Sequence, residues 1–253
     1  MAVVAGADGW TALRLGLAMV LLQASIGALN DLVDAPDDAR SKPRKPIPAG
    51  LVPVAVARGL VVAAAGAGIV LSIPSGPGLV GLAVVILAIG FGYDLAFKGT
   101  AWSWLPFAVG IPLLPVFGWF GTAGALPASF AFLVPVAVLA GAALAIANAR
   151  ADLERDVAAG VDSVAVRLGS ERAWLVHAVL LGAVVGVAAA TLGFAGAPTL
   201  QLAAAAIASG IVATGIVLGR RGDPARCERA WELEAVGVGI LAAVWLAAVG
   251  VGG

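Results

Sequence analysis

The chain has 253 residues, of which 61% are hydrophobic and only 12% charged, with 15 basic residues balanced by 15 acidic ones. Soluble domains run at about 45–50% apolar and about 25% charged, so this composition excludes a fold bathed in water on all sides. The lone cysteine, Cys227, excludes an internal disulfide and a cysteine metal site, and the zero net charge implies no polyanionic partner.

A membrane-crossing helix needs roughly 20 mostly apolar residues. The stretch 10–29 meets this. It runs straight into an Asp-rich segment and not into a small-residue cleavage site, so it reads as a span, not a signal peptide. No Asp, Glu, Lys or Arg occurs in 59–93, 99–147 or 173–219. These runs predict further spans at 54–73, 78–97, 101–121, 127–148, 174–194 and 199–218, and a last one is placed at 231–251. Turn residues at 73–78, 122–127 and 193–198 separate several of them. Pro106, Pro112 and Pro115 are expected to kink the fourth span. His177, inside an apolar run, is expected to be a packed, satisfied histidine. Glu232 and Glu234 open the last predicted span, where acidic residues favour a helix N-terminus. The 34 glycines suit close helix approach in lipid.

Alternate loops of such a bundle fall on alternate sides. One side receives 30–53, 98–100, 149–173 and 219–230, and with them, counting charges just inside the adjoining helix ends, all the basic residues except Arg14. The positive-inside rule makes that side cytoplasmic. On the same count all the acidic residues except Asp8 lie there too, and they include two clusters that a solubilising scatter does not require. The first, Asn30-Asp31-Leu32-Val33-Asp34-Ala35-Pro36-Asp37-Asp38, spaces Asp31, Asp34 and Asp38 at i, i+3, i+7, on one face if the helix continues. Pro36 is expected to end it, leaving Asp38 on the loop. The second, from Asn148 to Asp156, spaces Asn148, Asp152 and Asp156 at i, i+4, i+8.

Carboxylates so close together repel each other, and a helix C-terminus adds roughly half an elementary charge of the wrong sign. Mg²⁺ would offset this, being a hard ion held through one or two carboxylates while bridging to substrate phosphates. Neither loop has the turn glycine of an EF-hand calcium site. Basic residues accompany each cluster: Lys42, Arg44 and Lys45 follow the first, Arg150 and Arg155 interleave the second, and Lys98 ends the third span. Metals plus cations at a membrane face describe a diphosphate site. The bland alternative is a pair of solvated helix ends.

These residues resemble the two signature motifs of the UbiA superfamily of intramembrane prenyltransferases, with a 4-hydroxybenzoate polyprenyltransferase-like pattern. The resemblance extends to Lys45-Pro46-Ile47-Pro48-Ala49-Gly50, to Tyr93 followed by Lys98, and to the stretch from Gly160 to Gly169. It implies an all-α, polytopic transmembrane helix bundle with a central cavity opening near the cytoplasmic side. Eight spans are predicted where the family norm is nine, the first apparently missing. Lys45 stands where the family usually has Arg, supplying charge without the planar fork.

The resemblance further implies a single prenyltransferase domain over 1–253, in the cell membrane. It would carry out Mg²⁺-dependent transfer from a polyprenyl diphosphate donor to a small aromatic or lipid acceptor, of the quinone-biosynthesis kind. Asn30, Asp31, Asp34, Asp38, Asp152 and Asp156 would hold two Mg²⁺. Lys42, Lys45, Lys98 and Arg150 would balance the diphosphate, and Tyr93 would hydrogen-bond it or shield the cation. Asp31, Asp34, Asp152, Asp156 and Tyr93 are the expected catalytic residues. Asp94 and Glu154 are near enough to support ligands without being ligands. The rivals are a multi-span transporter, which would keep ionisable groups near the bilayer midplane, and a non-catalytic relative.

Overall fold

Long uncharged runs must satisfy their own backbone groups in lipid, and helices do this within one segment. The computed structural model, which describes residues 1–221 and 223–249, is accordingly helical. In chain order the helices are α1 (Gly9–Ser41), α2 (Val54–Ser72), α3 (Pro77–Gly92), α4 (Trp104–Ala123), α5 (Phe130–Ala151), α6 (Leu153–Ala159), α7 (Val164–Leu168), α8 (Ser170–Phe194), α9 (Thr199–Gly219) and α10 (Pro224–Val249). A 3₁₀ turn, Ile73–Ser75, follows α2, and a π-helical turn, Tyr93–Phe97, follows α3. Among the described residues, 8 of these helices are long and apolar enough to cross a membrane. Many of their large apolar side chains, Val62, Val70, Ile207 and Val217 among them, are exposed where lipid would cover them.

The helices match the predicted spans, with three informative differences. α1 does not stop near residue 29 or at Pro36 but runs to Ser41, carrying Asp38 in its last turns. α10 starts at Pro224, seven residues before the predicted 231, and the predicted end at 251 lies outside the described residues. α5 ends at Ala151 and α6 begins at Leu153, so Asp152 sits at a break; the Asp156 amide still donates to the Asp152 carbonyl at 2.8 Å.

The chain divides into two compact units. One comprises Ala2–Ala96 and Leu113–Ala125; the other comprises Phe97–Pro112 and the chain from Leu126 onward, with Met1. In the first unit, Leu15, Ala18 and Leu22 of α1 pack with Leu79, Ala83 and Ile86 of α3 and with Phe117 of α4. Arg14, the basic residue apart from the others, donates to the Leu71 carbonyl (2.5 Å) and to Ser75 Oγ (2.8 Å), and Ser75 in turn donates to the Gly121 carbonyl (2.6 Å). It therefore binds carbonyls and hydroxyls where α2 and α4 end, as a cation at a helix C-terminus should.

In the second unit, Ala140 and Ala143 of α5 pack with Leu181 and Val184 of α8, Val212 of α9 and Val238 of α10. Small residues let the backbones approach. A Cβ on Gly141 would lie 2.4 Å from the Phe107 carbonyl oxygen of α4, and one on Gly237 would lie 2.6 Å from Val212 Cγ2 of α9.

Candidate active site

The first acidic cluster gathers on α1 because the helix continues past Pro36. Asp31 and Asp38, seven residues apart, then share a face. Lys45 Nζ lies 2.9 Å from Asp31 Oδ1 and 2.6 Å from Asp38 Oδ2, joining the turns on either side of the proline. Asp38 is buried, whereas Asp31, Asp34 and Lys45 are partly exposed. Burial alone would lower the Lys45 pKa, but its hydrogen bonds to Asp38 and Asp31, with their charges, outweigh that and raise it above 10.5.

The Lys45–Gly50 segment is built to return this lysine. The Lys45 amide donates to the Lys42 carbonyl (3.0 Å), the Ala49 amide to the Lys45 carbonyl (2.9 Å), and the Gly50 amide to the Ile47 carbonyl (3.0 Å). Gly50 closes the turn at φ +72, a conformation that favours glycine. Lys42 and Arg44 are exposed.

Asn30 lies one turn before Asp34. Its Nδ2 donates to Oδ1 of Asp94 at 2.8 Å, and Asp94, in the π turn after α3, is only 4% exposed. Tyr93 is the neighbouring residue of that turn and is partly exposed.

In the second unit, Asp152 pairs with Arg155, and Asp156 on α6 is partly exposed. Gly160, at φ +68, ends α6, and the Val161 amide returns to the Asp156 carbonyl at 2.9 Å. Lys98 belongs to this unit; a Cβ on the adjacent Gly99 would lie 3.2 Å from Val161 Cγ1. Asp162 and Arg167 form an exposed pair at 2.5 Å; this hydrogen bond lowers the Asp162 pKa and raises that of Arg167.

Arg150 departs from the expected diphosphate role. It is 4% exposed, and its guanidinium donates to the Ser170 carbonyl (3.2 Å) and the Gly219 carbonyl (3.1 Å). It braces the end of α5 against the start of α8 and the end of α9. The last carbonyls of a helix, such as that of Gly219, have no intrahelical donor, and a sequence motif does not say which cation satisfies them.

His177 is packed as expected, 1% exposed, with Nδ1 3.1 Å from the Ala173 carbonyl oxygen. Glu234 overturns the helix-start reading. It lies well inside α10, fully buried, with Oε1 3.5 Å from His177 Nε2. The longer α10 moved it inward.

Among the described residues, no three His, Cys, Asp or Glu side chains gather as a metal cage. Mg²⁺ does not need one, since it is typically held by one or two carboxylates with water and substrate phosphates completing the shell. Asp31 and Asp38 are two carboxylates brought to one point, the Lys45 ammonium.

Fold and composition together define a multi-pass helical membrane protein with one acidic cluster at the end of α1 and another at the end of α5. The chain belongs to the UbiA prenyltransferase family, whose family model matches residues 1–250. It is similar to the digeranylgeranylglyceryl phosphate synthase of Sulfolobus acidocaldarius, 26% identical over 170 residues that cover 66% of this chain. The matched region spans 60% of the length of that curated relative. The fold is similar to the apo structure of a UbiA homolog from Aeropyrum pernix K1, with a TM-score of 0.79 at 18% identity over 96% of this chain and 92% of that one. It is also similar to a UbiA homolog from Archaeoglobus fulgidus bound to GPP and Mg²⁺, with a TM-score of 0.68 at 18% identity over 96% and 92% of the two chains.

Proposed function

We propose that this protein transfers a prenyl group from a polyprenyl diphosphate to an aromatic, quinone-precursor type or lipid acceptor, using Mg²⁺ and releasing diphosphate. The observation that carries the proposal is the convergence of the Asp31 and Asp38 carboxylates on a single cation, the Lys45 ammonium. A position that satisfies an ammonium between two carboxylates also suits a hard divalent ion. Asn30, Asp31, Asp34 and Asp38 would hold one Mg²⁺; Asp152 and Asp156 enter the ligand set through the likeness of their motif. When bound, Mg²⁺ supplies charge stabilisation for the departing diphosphate. The Archaeoglobus relative solved with GPP and Mg²⁺ supports both donor class and ion.

The chain's own side chains do the rest. Lys45, on a flexible four-carbon stem, would turn from the carboxylates to phosphate oxygens beside Lys42, and Lys98 enters the set through the likeness of its motif alone. Tyr93 would hydrogen-bond the departing group or shield the allylic cation it leaves, as the likeness of its motif suggests. That cation is attacked by an electron-rich carbon or oxygen of the acceptor, which then loses its proton, and apolar helices keep water from quenching it. Arg150 is outside this set because its donors are committed to carbonyls. The glyceryl phosphate named in the Sulfolobus relative favours a lipid acceptor. The family match across both units supports one transferase domain. The distribution of basic residues supports a cytoplasmic location for the acidic helix ends.

The test is prenyl transfer by the purified full chain in detergent, with labelled geranyl diphosphate, glycerophosphate-lipid and hydroxybenzoate acceptors, and Mg²⁺ or EDTA. Mg²⁺-dependent label in an acceptor is expected, and its loss in Asp31→Ala without loss of expression. Turnover unchanged in Asp31→Ala would sink the site assignment.

A further inference from the structure

We propose that Asp94 is a positioning residue for the metal-binding face of α1: it holds the Asn30 side-chain amide so that its carbonyl oxygen is the atom available to a cation. The inference rests on the Mg²⁺–diphosphate reading above and gives Asp94, expected from the sequence only to lie near the ligands, a particular partner and task.

An asparagine amide presents an oxygen on one side and an NH₂ group on the other, and only the oxygen can ligate Mg²⁺. Asn30 alone gives no reason to choose between the two orientations. Asp94 decides, because its Oδ1 accepts a hydrogen bond that only the NH₂ side of Asn30 can donate. With Asp94 Oδ1 at 2.8 Å, the NH₂ group faces the π turn after α3, and Oδ1 of Asn30 is turned away from it.

The placement of Asp94 follows from the packing of α1 on α3. One turn earlier on each helix, Ile26 packs on Gly90, where a Cβ would lie 2.4 Å from Ile26 Cδ1. The close approach at Ile26 and Gly90 thus sets the distance four residues further on, between Asn30 and Asp94. Immediately after α3 the backbone widens into the Tyr93–Phe97 π turn. Such turns are rare and recur at functional sites. Here it contains the carboxylate at 4% exposure, beneath the partly exposed Asn30. A carboxylate hydrogen-bonded behind a metal ligand fixes that ligand's orientation, and removing such a partner typically costs about 10–100-fold in metal affinity.

The experiment is a Mg²⁺ titration of geranyl diphosphate binding by calorimetry on the purified full chain, alongside thermal unfolding of the metal-free protein. Asp94→Ala is expected to weaken the apparent Mg²⁺ affinity by about 10–100-fold. Asp94→Asn keeps a side-chain oxygen that accepts from Asn30, so its affinity should lie nearer wild type. The exchange Asn30→Asp with Asp94→Asn should recover binding lost in Asn30→Asp alone, because the amide then donates from the other helix. If Asp94→Ala fails to fold, Asp94→Asn and the exchange decide the matter. Wild-type Mg²⁺ affinity in Asp94→Ala would overturn the proposal, as would a lowered unfolding temperature with unchanged affinity, which would mark a structural role only. No Mg²⁺-dependent binding by the wild-type protein would instead overturn the diphosphate reading, and this inference with it.

Discussion

At the residue scale Lys45 has Asp31 and Asp38 as its partners in the structure, and the proposed function gives it phosphate oxygens as a second set. Without ligand it neutralises Asp31 and Asp38 and ties together the turns flanking Pro36. Its pKa is raised by those carboxylates, so the stability it contributes is fully present below 10.5 and is lost as pH rises through the higher folded value. A pH series of thermal unfolding in detergent should therefore show a fall above pH 10.5 in the wild type that is missing from Lys45→Met. The same variant should lose prenyl transfer. Arg150→Lys offers the contrast. A lysine cannot span two carbonyls with a planar fork, so this change should lower the unfolding temperature while the affinity for geranyl diphosphate stays near wild type.

At the scale of the element, helix length and close approach position the chemistry. α1 reaches the site only because it continues to Ser41, and the Lys45–Gly50 turn then folds back onto it. Gly50→Ala forces an L side chain into a left-handed conformation, at a cost of about 1–2 kcal/mol. It should weaken donor binding without touching a ligand, as read by calorimetry. Gly141 shows the packing side of the argument. Its Cβ position lies 2.4 Å from a backbone carbonyl, which cannot rotate away. Gly141→Ala is expected to destabilise by about 1–3 kcal/mol through overpacking, seen as a lower unfolding temperature.

Over the whole molecule, the charge distribution carries the prediction. By chain order the basic and acidic residues fall on one set of alternate loops and the helix ends beside them, apart from Asp8 and Arg14, the latter donating to the Leu71 carbonyl and Ser75 Oγ. The cytoplasmic orientation proposed above rests on the positive-inside rule. In a Cys227→Ser background, Arg44→Cys should be labelled by an impermeant maleimide only from the cytoplasmic face of vesicles, and Ala125→Cys only from the opposite face. The reverse pattern would overturn the assigned sidedness.

Span number, helical class and the two acidic motifs were legible in the sequence because lipid imposes a length and polarity rule on each segment separately. That rule is local, so chain order was enough. It gives no helix end beyond the apolar core, which is why Pro36 was read as a stop and Glu234 as a first-turn residue. Only the tertiary structure decided the partners: Lys45 between Asp31 and Asp38, Asn30 on Asp94, Arg150 turned to the carbonyls of Ser170 and Gly219. Those choices depend on which helices approach and how closely, and a charged side chain takes the nearest partners that satisfy it when buried.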